Sequence, residues 1–441
     1  MNFKPATAIL ELGGDFYDPV DPATFPELTL RYSDAHSADV LGLGDVDWIA
    51  RFGRFEPFNR SLSQPLALRY HGHQFRHYNP EIGDGRGFLY AQCRDAGGRL
   101  LDFGTKGSGQ TPFSRRGDGR LTLLGGVREV LASRYLEHLG VNTSRGFCLI
   151  ETGEALQRHD EPSPTRSAVL TRLNHSHIRF GTFQRQAFFE RTDNLEALVD
   201  YCRRHFYPDA ERPADLLHAV VIRSADAVAS WMAAGFVHGV MNTDNMNITG
   251  EVFDFGPYRF LPHYDPAFTA AYFDHGGLYA FARQPEAMGW NLGQLAQSLS
   301  LIETDKPLID AVEHYADHYG SALVRHIFRR LRLRVPKQGA PDFIRLTFDV
   351  LRETRVSWPD FFHDWAGGPA RSPLQPYPNP QWSAWKQAYR QFEPCGPRPD
   401  TDRPATLLYD EIGDLWAPIA ENDDWSTFRD TLEGFSRRNY E

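Results

Sequence analysis

The first half of the chain alternates short apolar stretches with glycine-rich or polar turns. The apolar stretches lie at residues 66–70, 87–93, 100–106, 147–150 and 168–173. Stretches of this length between turn residues predict strands. Residues 121–139 instead carry apolar positions at helical spacing and stop before Gly140, which predicts a helix with a glycine at its C-terminal end. A polar, proline-containing stretch at 157–165 predicts an exposed hairpin tip.

From about residue 194 the apolar spacing changes to the period of a helix. The predicted helices cover residues 194–206, 213–234, 291–303 and 309–334. Among them, residues 247–254 place a Thr-Gly pair between apolar flanks, which predicts a β-hairpin that ends at Asp254. This half of the chain is therefore predicted to be mainly helical.

Residues 357–404 hold ten prolines. Because proline lacks a backbone donor, we predict a wrapped or linking segment that is neither regular helix nor central strand. After it, residues 407–438 are acidic and aromatic, and Trp416, Trp425 and Phe428 predict a final helical pair that docks on the body.

The length of 441 residues exceeds the usual size of a single core, so two lobes or a two-lobed unit with an extension are expected. We predict an α+β chain in three parts. Residues 1–190 form a mixed α/β lobe, residues 191–356 form a mainly helical lobe, and residues 357–441 pack on the body as a Pro-rich and helical extension.

The composition is that of a soluble enzyme, with 41% apolar and 24% charged residues and no apolar run approaching the roughly 18 to 20 residues of a membrane helix. The N-terminus lacks the features of a secretory signal, so a cytoplasmic location is expected. A net charge of −10 argues against a nucleic-acid partner. The four cysteines form no C-x-x-C pair, which argues against a zinc ribbon. The sequence does not determine the oligomeric state, and a monomer is the working expectation.

A candidate catalytic motif begins at His238 and ends with Asp-Phe-Gly at residues 254–256. Protein kinases use a His-x-Asp-x-x-x-x-Asn loop followed by Asp-Phe-Gly, in which the Asn and the second Asp hold magnesium. On that frame Asn245 and Asp254 are the metal ligands. Val240 occupies the position of the kinase base and cannot accept a proton. Asp244 is the obvious substitute, and the hard oxygen ligands favour Mg²⁺ or Mn²⁺.

Cationic groups that could hold phosphates lie upstream of this motif. Lys106 closes a predicted strand and Glu129 lies in the next predicted helix, in the order of the kinase Lys-Glu pair. Arg172 and Arg179 carry planar guanidinium groups whose paired N–H donors match phosphate oxygens. Surface salt bridges are the alternative interpretation of the two arginines, and a structural ion pair is the alternative for Lys106.

Two glycine-rich loops could bring backbone N–H groups close to phosphate oxygens. The first contains Gly83, Gly85 and Arg86, and a plain hairpin turn is its alternative interpretation. The second spans residues 114–120 and leads into the predicted Glu129 helix. The histidines at 71, 73 and 77 and at 175 and 177 lack a third well-spaced ligand, so they are not predicted to hold a metal. His238 is predicted to hydrogen-bond backbone near the Asp-Phe-Gly turn.

Taken together, these motifs resemble those of the selenoprotein O (SelO) family. The matching blocks are residues 70–75, 83–86, 106–114, 118–120, 238–246 and 254–257. The resemblance spans roughly residues 60–300 in the family's order. It implies a protein-kinase-like, two-lobed pseudokinase fold that binds ATP in a flipped orientation and transfers AMP to Ser, Thr or Tyr hydroxyls of protein substrates.

The resemblance also implies roles for single residues. Asp244 is the implied proton acceptor, and Asn245 and Asp254 are the implied magnesium ligands, with Asp254 also facing ATP. The implied nucleotide-binding residues are Gly83, Gly85, Arg86, Lys106, Asp118, Gly119, Arg172 and Arg179, and Glu129 joins them through Lys106. Residues 74–83 depart from the family pattern, and the C-terminus lacks the terminal cysteine or selenocysteine motif of many members, so redox regulation is not transferred.

Two other functions stay open at this point. A kinase-like phosphotransferase acting on a small molecule or a protein is the first, and Val240 in the base position argues against it. A nucleotide-binding regulator without catalysis is the second, and the intact set of Asp244, Asn245 and Asp254 argues against it. The sequence does not identify the protein substrate.

Overall fold

The computed structural model describes residues 2–159, 161–370, 372–378 and 380–436. Its strands are β1 (Pro5–Ala6), β2 (Tyr17–Pro19), β3 (Thr29–Ser33), β4 (Leu66–Leu68), β5 (Gly72–Gln74), β6 (His77–Asn79), β7 (Leu89–Arg94), β8 (Leu100–Lys106), β9 (Leu121–Thr122), β10 (Arg145–Leu156), β11 (Thr165–Asn174), β12 (Phe236–Val237) and β13 (Arg259–Phe260). Its helices are α1 (Ala35–Leu41), α2 (Leu123–His138), α3 (Phe180–Phe188), α4 (Thr192–Phe206), α5 (Pro213–Ala234), α6 (Gln284–Leu299), α7 (Asp305–Glu313), α8 (Tyr315–Arg330), α9 (Ala340–Thr354), α10 (Trp358–Trp365), α11 (Pro380–Tyr389), α12 (Tyr409–Asn422) and α13 (Ser426–Ser436).

The largest sheet is antiparallel and is built from the first 174 residues. Its strand order is β2-β4-β7-β8-β11-β10-β3, with β1 added to β7 and β9 added to β11. The long strands β10 and β11 pair from Arg145 opposite Leu173 to Leu156 opposite Thr165. The predicted strands of this half are therefore confirmed, and the turn that joins β10 to β11 corresponds to the predicted hairpin tip.

Each face of the sheet buries alternate residues against a different layer. Phe103 and Phe147 pack with Phe52 and Phe58, which belong to the segment between α1 and β4. Leu100, Leu149 and Leu170 face the other side, where they join the apolar residues of α2 and of the later helices in a continuous core. Both faces of β8 and β11 are covered, so nearly all their side chains are buried, including the polar residues Asp102, Thr171 and Arg172.

The helices dominate the chain after residue 180, and α5 lies at their centre, packed against α6, α7 and α8. This helix has 22 residues, and an apolar stretch of 18 of them has a mean hydropathy of 1.2 and is 72% buried in the protein. By length and composition it could cross a membrane, but such burial is typical of the core helix of a globular protein. It begins at Pro213, as predicted, and Gly235 ends it in the left-handed conformation.

Three predicted elements differ from the structure. Residues 247–254 form a turn and not the predicted hairpin, because Asn247 bridges to Arg179 whereas Val252 bridges to Thr143. Flanks this short supply too few cross-strand bonds to pair by themselves. The predicted helix at 309–334 is two helices, α7 and α8. The predicted helix at 291–303 begins earlier, at Gln284.

The prediction that residues 357–404 contain no regular helix is wrong. Helices α10 and α11 both lie there, with Pro359 in the first turn of one and Pro380 at the start of the other. The first turn of a helix tolerates proline because its N–H groups have no partner within the helix. The final helical pair is confirmed as α12 and α13, and residues 437 and 438 of that prediction lie outside the described residues.

Candidate active site

A cavity of about 800 Å³ lies between the sheet loops and the loop that follows β12. Of the residues selected from the sequence, Gly85, Arg86, Lys106, Asp118, Gly119, Arg172, Arg179, Asp244, Asn245 and Asp254 line it. Gly83 and Glu129 are outside this lining. One cavity therefore collects groups from both halves of the sequence.

The loop at residues 83–87 has glycines where neighbouring groups leave no room for a side chain. A Cβ atom on Gly87 would come within 2.0 Å of the Thr105 carbonyl oxygen, and one on Gly83 would strike the Phe113 ring. Gly83 thus packs against Phe113 and does not line the cavity, whereas Gly85 and Arg86 do. Packing against Phe113 and β8 alone therefore requires glycine at positions 83 and 87.

Lys106 ends β8 inside the cavity and forms an ion pair with Glu129 of α2. Both side chains are buried, and Lys106 Nζ also lies 3.7 Å from Asp254 Oδ1. Burial lowers the pKa of Lys106, and the Glu129 charge opposes that change. Glu129 therefore positions the lysine and does not itself line the cavity.

Asp254 is the point on which the cations converge. Arg172 Nη1 donates to Oδ1 at 2.6 Å and Arg179 Nη1 donates to Oδ2 at 2.6 Å. The two arginines are only 4% and 3% exposed, so the alternative of surface salt bridges is wrong. Burial raises the pKa of Asp254, but the charges of Arg172, Arg179 and Lys106 outweigh it and hold the pKa well below its usual range.

Asp244 lies in a short 3₁₀ turn, Thr243–Asn245, and is 8% exposed. Gln74 Nε2 donates to its Oδ2 at 3.4 Å, whereas its Oδ1 has no hydrogen-bond partner among the described residues. Burial raises the pKa of Asp244 to about 6. A carboxylate with a raised pKa that lines a cavity is suited to take a proton.

The neighbours of Asp244 in the motif also have defined contacts. Asn245 Nδ2 donates to the Val240 carbonyl oxygen at 3.0 Å, which leaves the amide oxygen as an acceptor. His238 Nε2 lies 3.3 Å from the Phe253 carbonyl oxygen, so the predicted structural contact near the Asp-Phe-Gly turn is confirmed. Asp254 itself adopts a positive φ of 57°.

The donor set can be tested against a divalent cation. Each Asp254 oxygen accepts one arginine hydrogen bond and retains a second lone pair, and Asn245 adds an amide oxygen. These hard oxygen ligands fit Mg²⁺ or Mn²⁺, which commonly takes further ligands from phosphates and water. No group of three or more His, Cys, Asp or Glu in the described chain is arranged to hold a metal.

The outer end of the cavity is formed by the loop at residues 114–120 and the β10–β11 turn. Arg158 of the turn donates to both carboxylate oxygens of Asp118, at 2.9 and 3.1 Å. Although burial raises the pKa of Asp118, hydrogen bonds from the Arg120 backbone and the Arg158 side chain lower it below its usual value. Gly119 has a positive φ of 70° and a Cβ atom there would strike the backbone of Gly109.

Sequence reasoning missed several cavity residues. Asp84, between the two glycines of the first loop, lies 3.4 Å from Arg179 Nη2, and the Tyr70 ring stacks under the same arginine at 4.4 Å. Further missed lining residues are Gln74, Arg115, Arg116, Asn242 and Arg158. Arg115 and Arg116 lie in a loop that was already singled out, so their charge was an available signal. The sequence gives no signal for Gln74 and Tyr70 beyond the family motif in which they lie.

The comparisons with known proteins agree on one family. The family described as Protein adenylyltransferase SelO matches residues 1–436. A protein nucleotidyltransferase YdiU from Synechocystis is 43% identical over 480 residues, which cover 98% of both chains. The one from Gloeobacter violaceus is 44% identical, covering 98% of this chain and 94% of its own, and the one from Trichormus variabilis is 42% identical, covering 99% and 96%. On this similarity, and with the family's motif residues collected in one cavity, the chain belongs to the SelO family of protein adenylyltransferases.

Proposed function

We propose that this protein transfers AMP from ATP to Ser, Thr or Tyr hydroxyls of protein substrates, with a divalent metal. The observation that carries the proposal is the cavity in which Lys106, Arg172 and Arg179 converge on Asp254 and which Asp244, a carboxylate with a raised pKa, also lines. Phosphate charge, metal ligation and proton acceptance are all available there. Membership of the SelO family supports the choice of AMP as the group transferred.

Asn245 and Asp254 would hold Mg²⁺ or Mn²⁺. The metal would supply positive charge to the phosphates when it is bound. Asp254 is prepared for this role because the surrounding cations keep it ionised. The amide of Asn245 is already oriented by its hydrogen bond to Val240.

Lys106, Arg172 and Arg179 bind the terminal phosphates of an ATP molecule held in the flipped orientation. In that arrangement the β- and γ-phosphates are the leaving group, and the three cations stabilise the charge that develops on pyrophosphate. Gly85 and Arg86 of the first loop and Asp118 and Gly119 of the second complete the nucleotide site. Gly83 and Glu129 act indirectly, through loop packing and through Lys106 respectively.

Asp244 is the general base. The acceptor hydroxyl oxygen bonds to the α-phosphorus, the bond from that phosphorus to the bridging oxygen of the β-phosphate breaks, and pyrophosphate leaves. The hydroxyl proton passes to the carboxylate of Asp244, which lines the cavity and whose pKa is raised by burial. Val240 cannot perform this step, and its presence in the cavity is consistent with a base at position 244.

We further propose a protein-kinase-like arrangement of two lobes, 1–190 and 191–356, with residues 357–441 as an extension. The antiparallel sheet of the first part and the helices of the second support this division. A monomeric cytoplasmic protein without a nucleic-acid or membrane partner remains our expectation, supported by the net charge and by the burial of α5.

Isotope labelling tests the proposal. The protein is incubated with Mg²⁺ or Mn²⁺ and ATP labelled on the α- or the γ-phosphate, and protein-bound label is measured. Label from the α-phosphate is expected; label from the γ-phosphate would identify a kinase-like phosphotransferase, and no label would identify a nucleotide-binding regulator. Asp254→Ala should abolish the transfer, and survival of α-label transfer in that variant would refute the metal assignment.

A further inference from the structure

Two exposed aromatic side chains and a partly buried one form a patch next to Gln74, which lines the cavity. Tyr272 is 82% exposed and Phe273 is 44% exposed, and their rings lie 5.1 Å apart between centroids. Phe75 extends the patch, with its ring 5.8 Å from that of Phe273. We call Phe75, Tyr272 and Phe273 the aromatic patch. Exposed aromatic groups cost hydration free energy, and a cluster of them is typical of an interaction surface.

The loop that carries Tyr272 and Phe273 is held in shape by a buried carboxylate. Asp274 accepts hydrogen bonds from the backbone N–H groups of Leu278 and Tyr279, each at 2.8 Å. Asp274 N in turn donates to the Ala271 carbonyl oxygen at 3.1 Å. The bond to Ala271 closes the turn that contains Tyr272 and Phe273, and the two carboxylate bonds fix the backbone that follows it.

The aromatic patch is tied directly to the loop that carries the proposed base. Asn242 Oδ1 accepts from the backbone N–H of Phe75 at 3.0 Å and from the Tyr279 hydroxyl at 2.9 Å. Gln74, the residue before Phe75, donates to Asp244. A protein bound at the patch would therefore lie beside Asp244.

The charges next to the aromatic patch are largely neutralised. Glu286 pairs with Arg76 at 3.0 Å and with Arg283 at 3.3 Å, and the negative charge of Asp274 also acts on Arg283, so two carboxylates balance two cations. Arg283 also donates to the carbonyl oxygen of Gly277, in the same loop as Tyr272. A partner is therefore expected to present an apolar side chain to the patch.

We propose that the aromatic patch is the docking surface for the acceptor protein and receives an apolar side chain that flanks the modified hydroxyl. This inference rests on the proposed AMP transfer and specifies the class of substrate for it. The hydroxyl then reaches Asp244 from the side of Gln74, while the nucleotide approaches from the side of Arg86 and Lys106. Contact with an apolar residue would orient the acceptor before transfer.

The test uses the full-length protein, Mn²⁺, α-labelled ATP and an array of threonine peptides in which each of the three positions on either side of the threonine is varied. The wild type is expected to prefer an apolar residue at one flanking position. Tyr272→Ser and the double variant Tyr272→Ser/Phe273→Ser are expected to lose that preference and to raise the acceptor KM by about tenfold. The KM for ATP should stay unchanged, because the patch does not line the nucleotide end of the cavity.

Ile309→Ser is the matched control, because Ile309 is 54% exposed on α7 and does not line the cavity. It should retain the wild-type preference. Equal use of apolar and charged flanks by the wild type, or an unchanged preference in both patch variants, would overturn the docking surface while leaving AMP transfer in place. A concentration-dependent dimer that Tyr272→Ser abolishes would instead assign the patch to a second copy of the chain. Absence of α-label transfer by the wild type would overturn the proposed function and this inference with it.

Discussion

Asp254 shows how a buried charge cluster can serve a nucleotide site. The carboxylates of Glu129, Asp254 and Asp84 face the cations Lys106, Arg172 and Arg179, so these six groups balance three against three. Buried charges are tolerated only when they are paired. The pairing keeps the guanidinium groups of the two arginines oriented until phosphates bind.

Removing the carboxylate of Asp254 should therefore destabilise the protein as well as abolish transfer. For Asp254→Ala we expect a loss of about 3 kcal/mol in the free energy of unfolding, because the arginines are left buried without their partner. Urea denaturation measures this. Since the pKa of Asp254 in the folded state is depressed, its contribution is present above the unfolded-state value of about 4 and is lost only as the pH falls through the lower folded value. The loss should then be constant from about pH 5 to about pH 8.

Asp310→Ala is the control for that experiment. Asp310 pairs with Lys306 on the surface of α7, where both side chains are at least half exposed. Its removal should change the unfolding free energy by less than about 0.5 kcal/mol. Equal losses in the two variants would contradict the buried pairing of Asp254.

The pKa of Asp244 predicts how the reaction depends on pH. Because burial raises this pKa to about 6, kcat/KM for the acceptor should fall below about pH 6 as the base becomes protonated. Asp244→Asn should lower kcat by about a hundredfold or more and retain ATP binding. Steady-state rates across the pH range and nucleotide titration measure the two effects. An acid limb near pH 4, or a fully active Asp244→Asn variant, would refute the assignment of the base.

At the scale of elements, strand β5 packs against the Thr243–Asn245 turn and so positions the proposed base. His73 N donates to Thr243 Oγ1 at 2.7 Å, and the carbonyl oxygen of Gly181 accepts from His71 N at 3.1 Å. The β5 backbone thus runs against the turn that holds Asp244. Gly72 permits this approach, because a Cβ atom there would lie 2.7 Å from Asp244 Oδ1.

Gly72→Ala should displace the Asp244 carboxylate and lower kcat by roughly tenfold to a hundredfold, since small misplacements of a catalytic group have effects of that order. The phosphate-binding residues lie elsewhere, so the affinity for ATP should change little. Gly293→Ala is the matched control, because Gly293 lies within α6 and a Cβ atom there meets no other atom within 4 Å. That variant should keep full activity and gain slightly in stability. Equal activity of both variants would contradict the claim that β5 positions Asp244.

At the scale of the whole molecule, the C-terminal helices are part of the body. Helix α13 packs on α2, the helix that carries Glu129, and the Tyr135 and Phe435 rings lie 5.0 Å apart. Asp423, between α12 and α13, pairs with Arg31 and Arg166 of the sheet. Phe428 is 1% exposed and contacts Tyr32 of β3. Helices α12 and α13 thus cover the sheet edge at β3 and the helix that carries Glu129.

Phe428→Ala should lower the free energy of unfolding by about 3 to 5 kcal/mol, because it leaves a cavity between α13 and the sheet. We expect the whole chain to unfold in one cooperative transition. Calorimetry together with far-ultraviolet circular dichroism measures this transition. Leu301→Ala, at a position that is 42% exposed, should cost less than about 0.5 kcal/mol. A small effect of Phe428→Ala would mean that the extension is dispensable for stability.

The residue pattern was enough to predict much of the site. The order of Lys106, Glu129, Asn245 and Asp254 along the chain follows that of kinases, and the structure brings all but Glu129 to one cavity and pairs Glu129 with Lys106. Helix α5 was predicted with its exact bounds because apolar spacing, an initial proline and a final glycine all agree. Helices α10 and α11 were missed because the prolines were counted as breakers, although two of them occupy helix starts.

The sequence by itself determined the chemical groups available, their order, and the family to which the chain belongs. Only the tertiary structure decided which groups meet. It turned Arg172 and Arg179 from candidate surface residues into buried partners of Asp254, and it left one oxygen of Asp244 without a partner among the described residues. The physical reason is that charge state and hydrogen bonding depend on burial and on neighbours distant in sequence, whereas local spacing reports only on the helix or strand in which a residue lies.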